Sequence, residues 1–221
     1  MSVKLLISGV ERSGKSTLTS QIVDALVISF DTKAYPFSVP HVNVEKYQGL
    51  GQLLQLINEK VGLYKEKYDR FPNTIVLDTV TALYTMINHY ASDRFSGYDI
   101  HSTINKDTLG FNDYIENTLI KNGVNVVIVA HTIYDADTSR YIIPASGAFA
   151  KSGSWLGTVD NAVYVGIKAN KFFAYHKDLK FSCRSTLGEE IPMSSPIEEY
   201  DINAHIALLL SKHNDNKEFT L

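Results

Sequence analysis

Cysteine is nearly absent: Cys183 is alone among 221 residues, so an internal disulfide is excluded and no thiolate cluster can hold a metal. It reads as a small apolar packing residue. No apolar run approaches the ~20 residues needed to cross a bilayer. The basic start followed by Leu5-Leu6-Ile7 is too short for a signal peptide and runs on into a glycine loop. A cytoplasmic protein with no membrane partner is expected. No internal repeat or low-complexity linker breaks the chain, and 44% hydrophobic against 20% charged residues suit an ordinary globular protein. A single domain over residues 1–221 is expected, with a polar tail from about His213 that frays.

Neither sign of charge dominates. A net charge of -3 and a pI near 6.2 exclude a protein that coats nucleic acid by overall charge alone. The distribution is uneven, however. Residues 121–184 hold eight bases (Lys121, Arg140, Lys151, Lys168, Lys171, Lys177, Lys180, Arg184) against four acids (Asp135, Asp137, Asp160, Asp178). A half-basic surface suits a phosphate backbone, and scattered solvated charge gives the same count.

What is present, close to the start, is the stretch Lys4-Leu5-Leu6-Ile7-Ser8-Gly9-Val10-Glu11-Arg12-Ser13-Gly14-Lys15-Ser16-Thr17: an apolar run, a complete G-x-x-x-x-G-K-[ST] phosphate loop, and a helix start. Gly9 and Gly14 let the backbone wrap a polyphosphate, so that consecutive N–H groups and the positive helix end face the anion. Lys15 reaches the β and γ phosphates, and the Ser16 hydroxyl is placed to ligate magnesium. Gly9 to Thr17 are therefore the nucleotide-binding residues. No guanine-reading N-K-x-D stands in the chain, which favours ATP over GTP.

Strands and helices alternate around that loop. The pattern predicts a strand over Val3–Ser8, a helix from Lys15 to about Asp24, and a strand over Ala25–Phe30. After a loop with Pro36 and Pro40, Leu53, Leu54, Ile57 and Val61 recur at helical spacing within a helix over Leu50–Tyr68. A strand over Asn73–Asp78, helices near Val80–Tyr90 and Asp107–Lys121, and a strand over Val124–His131 follow. Continuous apolar strands separated by helices mean an α/β fold with a mostly parallel sheet covered on both faces. Shorter strands at Ala162–Ile167, Phe172–His176 and Leu179–Ser185 suggest antiparallel additions at one edge, ahead of a final helix over Ile197–Lys212.

Three polar residues close predicted strands at the edge that carries the phosphate loop. Asp78 can hold magnesium through water, or cap the helix that follows, or both. His131 can contact the γ phosphate or the attacking water and report the nucleotide state to the next loop. Asp31 is a candidate general base for hydrolysis, with Glu11 and Glu45 as alternatives and a turn role before Thr32-Lys33 as its competing explanation. The segment Tyr134–Gly157 is long, polar and glycine-bearing, a candidate mobile loop with an ordered lid that buries Phe149 and Trp155 as the competing reading. Its Arg140 and Lys151, interleaved with Tyr141, Phe149 and Trp155, suit single-stranded nucleic acid, where cations meet phosphates and rings accept bases. Burial is the more natural fate for Phe149 and Trp155 themselves.

The order of phosphate loop, Val76-Leu77-Asp78-Thr79-Val80-Thr81-Ala82-Leu83, Val126-Val127-Ile128-Val129-Ala130-His131-Thr132, and a glycine-bearing loop leading to Val159-Asp160-Asn161 resembles the RecA-type recombinase core. The chain is most similar to its compact phage version, the single-strand annealing ATPases of the Sak-four group, over roughly Val3 to the final helix. The resemblance implies a RecA-like P-loop fold and a magnesium-dependent ATPase that binds single-stranded DNA and promotes annealing or strand exchange in phage recombination. It also implies a homo-oligomer in the host cytoplasm, with a single-strand-binding protein as a further partner. Gly9 to Thr17 would bind phosphates, Asp78 would serve magnesium, His131 would be the sensor, and Tyr134–Gly157 the DNA loop carrying Arg140 and Lys151. Lys171 and Arg184 would be candidates for reaching a neighbouring subunit's nucleotide. Two features depart from the family: full-length recombinases commonly have a glutamate where this chain offers Asp31, which is compatible with slow hydrolysis, and no separate N-terminal oligomerisation segment precedes the first strand.

The phosphate loop also serves small-molecule kinases and phosphotransferases, although an arginine-rich lid would be expected there and the segment supplies only Arg140. It serves nucleotide-dependent switch modules for protein partners as well, which need little turnover.

Overall fold

A computed structural model describes residues 2–31, 34–145 and 147–215. Strand β1 (Lys4–Gly9) leads through the phosphate loop into helix α1 (Lys15–Thr19), and β2 (Ala25–Ser29) follows. Next come β3 (His41–Asn43), α2 (Leu50–Tyr68), β4 (Thr74–Asp78), α3 (Val80–Arg94) and α4 (Tyr98–Tyr114), which continues into a π-helical turn at Ile115–Ile120. After β5 (Asn125–His131) the chain forms a hairpin, β6 (Ile133–Asp135) and β7 (Arg140–Ile142), and two short helices, α5 (Gly147–Lys151) and α6 (Ser154–Gly157). Strands β8 (Asn161–Lys168), β9 (Lys171–Tyr175) and β10 (Ser194–Pro196) precede α7 (Ile202–Asp215).

Eight strands form one sheet in the order β10-β9-β8-β1-β5-β4-β2-β3, and β6 and β7 pair separately. From β8 to β3 every pairing is parallel; β9 and β10 are antiparallel additions. The side-chain period of two explains why the central strands are apolar throughout. Leu6, Ile75, Leu77, Val126 and Ile128 face the layer of α2, α3 and α4, where Ile57, Leu83 and Phe111 meet them. Leu5, Ile7, Val76, Val127 and Val129 face the opposite layer, with Leu18 of α1 and Ile206 and Leu209 of α7. No helix among the described residues is long and apolar enough to cross a membrane.

Several boundaries differ from the sequence expectation for local reasons. Helix α1 stops at Thr19, not near Asp24: the Thr19 and Ser20 hydroxyls bond back to the Ser16 and Thr17 carbonyls, and Asp24 adopts a left-handed φ of 53°. The strand expected at Ala162–Ile167 is not an antiparallel addition, because β8 runs parallel to β1 with Leu5 opposite Asn161. Leu179–Ser185 forms no strand beyond the Ala162–Arg184 bridge; Asp178 turns the chain by accepting from the Lys180 N–H, and Ser194–Pro196 takes the edge position. The last helix begins at Ile202 because Asp201 Oδ1 accepts from the N–H groups of Asn203 and Ala204, fixing an N-terminus that apolar spacing did not mark. It runs on to Asp215, so the tail expected from His213 is in part helical, and residues 216–221 lie outside the described residues.

Candidate functional site

The chain leaves β1 at Gly9, where a side chain is impossible: a Cβ there would lie 2.3 Å from the Val165 carbonyl oxygen of β8 and 2.7 Å from Ser13 Oγ. Gly14 sits at φ 91°, which glycine alone adopts without strain, and starts α1. Between them the backbone curls around the Lys15 ammonium. Lys15 is buried, and its Nζ donates to the carbonyls of Gly9 (2.9 Å) and Val10 (2.6 Å) and, at 3.4 Å, to Ser13 Oγ. Burial pulls its pKa down to about 8, against the opposing pull of the Asp78 and Glu11 charges.

Asp78 ends β4, and β5 lies between it and the phosphate-loop strand. Parallel register carries each strand end to the same edge: Gly9 pairs with His131, and Asp78 with Val129. Ser16, on the first turn of α1, donates its hydroxyl to Asp78 Oδ2 at 2.8 Å. Burial pushes the Asp78 carboxyl above the usual carboxylate range, while the Ser16 hydrogen bond and the Lys15 charge draw it back. The helix behind is capped by Thr79, whose Oγ1 accepts from the Ala82 N–H. Asp78 is thereby spared the capping task.

Magnesium fits this pair. Ser16 and Asp78 supply hard oxygen donors side by side, and no cluster of three or more His, Cys, Asp or Glu stands among the described residues. Magnesium suits such a sparse set, because it keeps waters and takes phosphate oxygens for the rest of its shell.

His131 closes β5 half-buried at the same edge, its backbone N–H donating to Thr81 Oγ1 and its Nδ1 buried without a hydrogen-bond partner. Burial lowers its pKa, the Lys15 charge lowers it further, and Glu11 and Asp31 oppose both. Asp31 follows β2, exposed, close enough for its charge to act on Asp78 and His131. Thr32 and Lys33, on which its turn role depends, lie outside the described residues. Glu11 is exposed within the loop itself. Glu45 lines a different cavity with Tyr90 and Arg94.

The loop opens on a cavity of about 510 Å3, lined by residues 12–18, Gln21 and His131 together with Pro36, Phe37, Phe172, Ile197 and Glu198. That volume is ordinary for a small-molecule site. The part played by Phe172 and Ile197 was not visible in the sequence: they come from β9 and the segment after β10, and neither carries a motif. Thr79 and Thr81, which join the ends of β4 and β5 through the Thr81–Thr79 hydroxyl bond, stand in a stretch the sequence singled out but were given no role there, because the join depends on β5 lying beside β4.

The described residues of the Tyr134–Gly157 segment fit the ordered-lid reading. Phe149 and Trp155 are buried and pack edge to face, and with Ile143 they join the core beside Phe111. These anchors explain why a polar, glycine-bearing stretch forms a hairpin and two short helices. Ile133 and Tyr134 of β6 remain more than half exposed. Arg140 is exposed opposite Asp135, and Lys151 is exposed at the end of α5.

Of the two residues considered for a neighbouring subunit, Lys171 is exposed at the start of β9, paired with Lys168 across the hairpin. Arg184 makes contacts within its own chain. Its guanidinium donates to the Leu156 and Val159 carbonyls, which ties it to α6 and the segment entering β8.

A mostly parallel sheet, a glycine loop closed on a buried lysine, and a serine–aspartate pair at the same edge define a P-loop NTPase. The family model described as AAA domain matches residues 1–148, and the chain belongs to that family of P-loop ATPases. No curated protein matches the chain.

Proposed function

We propose that this protein is a magnesium-dependent ATPase that binds single-stranded DNA and promotes annealing or strand exchange in phage-type recombination, acting as a homo-oligomer. One observation carries the reading. His131, at the phosphate edge, is separated by the single residue Thr132 from a hairpin that presents the exposed Ile133, Tyr134 and Arg140. A change in the nucleotide at one end of that link shifts an aromatic and cationic surface at the other, and such surfaces suit single strands.

In the reaction, the backbone N–H groups of the loop and Lys15 hold the β and γ phosphates and stabilise the charge that develops on them. Ser16 and Asp78 would hold magnesium, which neutralises phosphate charge when bound. Asp31, or Glu11 beside it in charge, polarises the attacking water, and His131 senses the γ phosphate. Lys171, exposed on its hairpin, is the candidate for reaching a second copy of the chain on this reading. A single-strand-binding protein is a further partner of this reading.

The test is ATP hydrolysis with and without single-stranded DNA, together with DNA binding over a range of salt concentrations. Stimulation by DNA is expected. Replacing Arg140 and Lys151 by alanine should weaken binding and reduce the slope of log affinity against log salt by about 1.4, two phosphate contacts at ~0.7 each. An unchanged affinity and slope would remove this hairpin and helix as the DNA site. Turnover of a small-molecule acceptor would instead favour a kinase, and negligible turnover a nucleotide switch.

A further inference from the structure

The family match ends at residue 148, yet the cavity beyond the phosphate loop is completed by Phe172, Ile197 and Glu198. We infer that this outer wall is a nucleobase site, in which Phe172 is the stacking platform and Ile197 the apolar backing, so that the C-terminal strands of this chain recognise the nucleoside while the common loop recognises only phosphate. The inference rests on the nucleotide-binding reading of the loop.

Position is the first argument. Phe172 lies over the loop: a Cβ placed on Gly14 would be 3.8 Å from its Cδ1. It is the first residue after Lys171 in β9, and the Ile197 N–H donates to its carbonyl at 3.0 Å, which holds the two side chains of the wall to one backbone ladder. Phe37 faces the same space from the connection between β2 and β3.

Exposure is the second. Phe172 leaves 40% of its surface in contact with solvent; Phe71 and Phe95 are also exposed, but of these three it alone lines the cavity at the phosphate loop. An aromatic ring held open at the mouth of a phosphate site gains most by covering itself with another flat apolar group. A nucleobase tethered through a ribose to the phosphates is such a group, and a purine covers more of the ring than a pyrimidine does. Rigid support is the third argument. Asn203 of α7 accepts from the Val23 N–H and donates to the Gln21 carbonyl, tying the helix that follows the wall to the turn after the phosphate-loop helix. The wall and the loop therefore keep their spacing.

Calorimetric titration of the full chain with magnesium and either ATP or inorganic tripolyphosphate separates the two halves of the site. ATP should bind at least tenfold more tightly than tripolyphosphate, and Phe172→Ala should remove roughly tenfold of ATP affinity while leaving tripolyphosphate affinity unchanged. Phe172→Trp keeps a platform, so it should keep the preference for ATP, and its emission should be quenched by ATP and not by tripolyphosphate. Equal affinity for the two ligands in the unmodified chain overturns the nucleobase site and leaves the phosphate loop intact. Loss of both affinities in Phe172→Ala, with the Phe172→Trp emission insensitive to ATP, also overturns it. Failure of the unmodified chain to bind either ligand overturns the nucleotide reading itself, and the nucleobase site with it.

Discussion

Among the described residues, a buried polar cluster at the phosphate edge contrasts with another under the C-terminal helix. At the edge, the Lys15 ammonium and the Ser16–Asp78 pair have hydrogen-bond partners, and they line or adjoin an open cavity. Under α7, His176, Tyr200 and His205 pack with ring centroids 5.1–5.7 Å apart, closed within the second core layer. The Tyr200 hydroxyl meets His205 Nδ1 at 2.6 Å, but both nitrogens of His176 and Nε2 of His205 have no partner. The contrast is instructive. Charge is tolerated at the edge because partners hold it for a ligand, whereas the histidine cluster is tolerated only because it stays neutral. Burial holds both histidines down to a pKa of about 4, with the neighbouring ring and the Lys177 charge adding to the effect at His176.

The comparison breaks most decisively at Lys15. Lys15→Ala should reduce ATP turnover by roughly a hundredfold or more, the scale on which a charge-stabilising donor at a transition state acts. Turnover at the unmodified rate would remove the edge cluster from the chemistry. Asp78→Asn should weaken magnesium affinity about 10- to 100-fold, read as the magnesium concentration that half-activates hydrolysis. The same substitution removes a buried charge and should leave the melting temperature of the ligand-free protein unchanged or higher. A large loss of stability would mean that Asp78 is a structural group first.

The smallest effect belongs to the histidines, and it should appear in stability alone. Their folded pKa lies below the unfolded value of about 6.5, so the unfolded chain binds more protons between the two. Stability is therefore full above pH 6.5 and falls as the pH drops from there towards 4. Urea unfolding at pH 7 and pH 5 should differ by on the order of 1–2 kcal/mol for each histidine. His176→Phe should flatten that dependence and stabilise the protein at pH 7 by about 1 kcal/mol, since an unpartnered polar ring gives way to an apolar one. A fall in ATP turnover at constant stability would instead connect this cluster to the phosphate edge.

Much of the fold could be read in the chain because its signals are local. The continuous apolar runs that became β1, β2, β4 and β5 sit at their expected places, and α2 spans its expected residues from Leu50 to Tyr68, because periodicity and turn residues act within a few positions. The edge near β10 was misread because Ser194–Pro196 is short and polar, and only its register on β9 makes it a strand. In Tyr134–Gly157 the burial of Phe149 and Trp155 was expected, but the hairpin and short helices were not legible, because the anchoring contact is distant: Trp155 packs on Phe111 and Phe149 on Trp155.

The sequence by itself determined the phosphate loop, since the glycines, the lysine and the serine act through backbone freedom and chemistry contained in nine consecutive positions. It also determined that polar residues would close several of the apolar strands. Only the tertiary structure decided which of those residues meet. Ser16 reaches Asp78 across 62 residues because β5 lies between β1 and β4 in parallel register, Thr79 takes the cap that Asp78 was free to take, and β9 brings Phe172 over Gly14. The physical reason is the range of the forces involved: local conformation follows from neighbouring residues, whereas contact between distant ones follows from the order in which the strands bury their apolar faces.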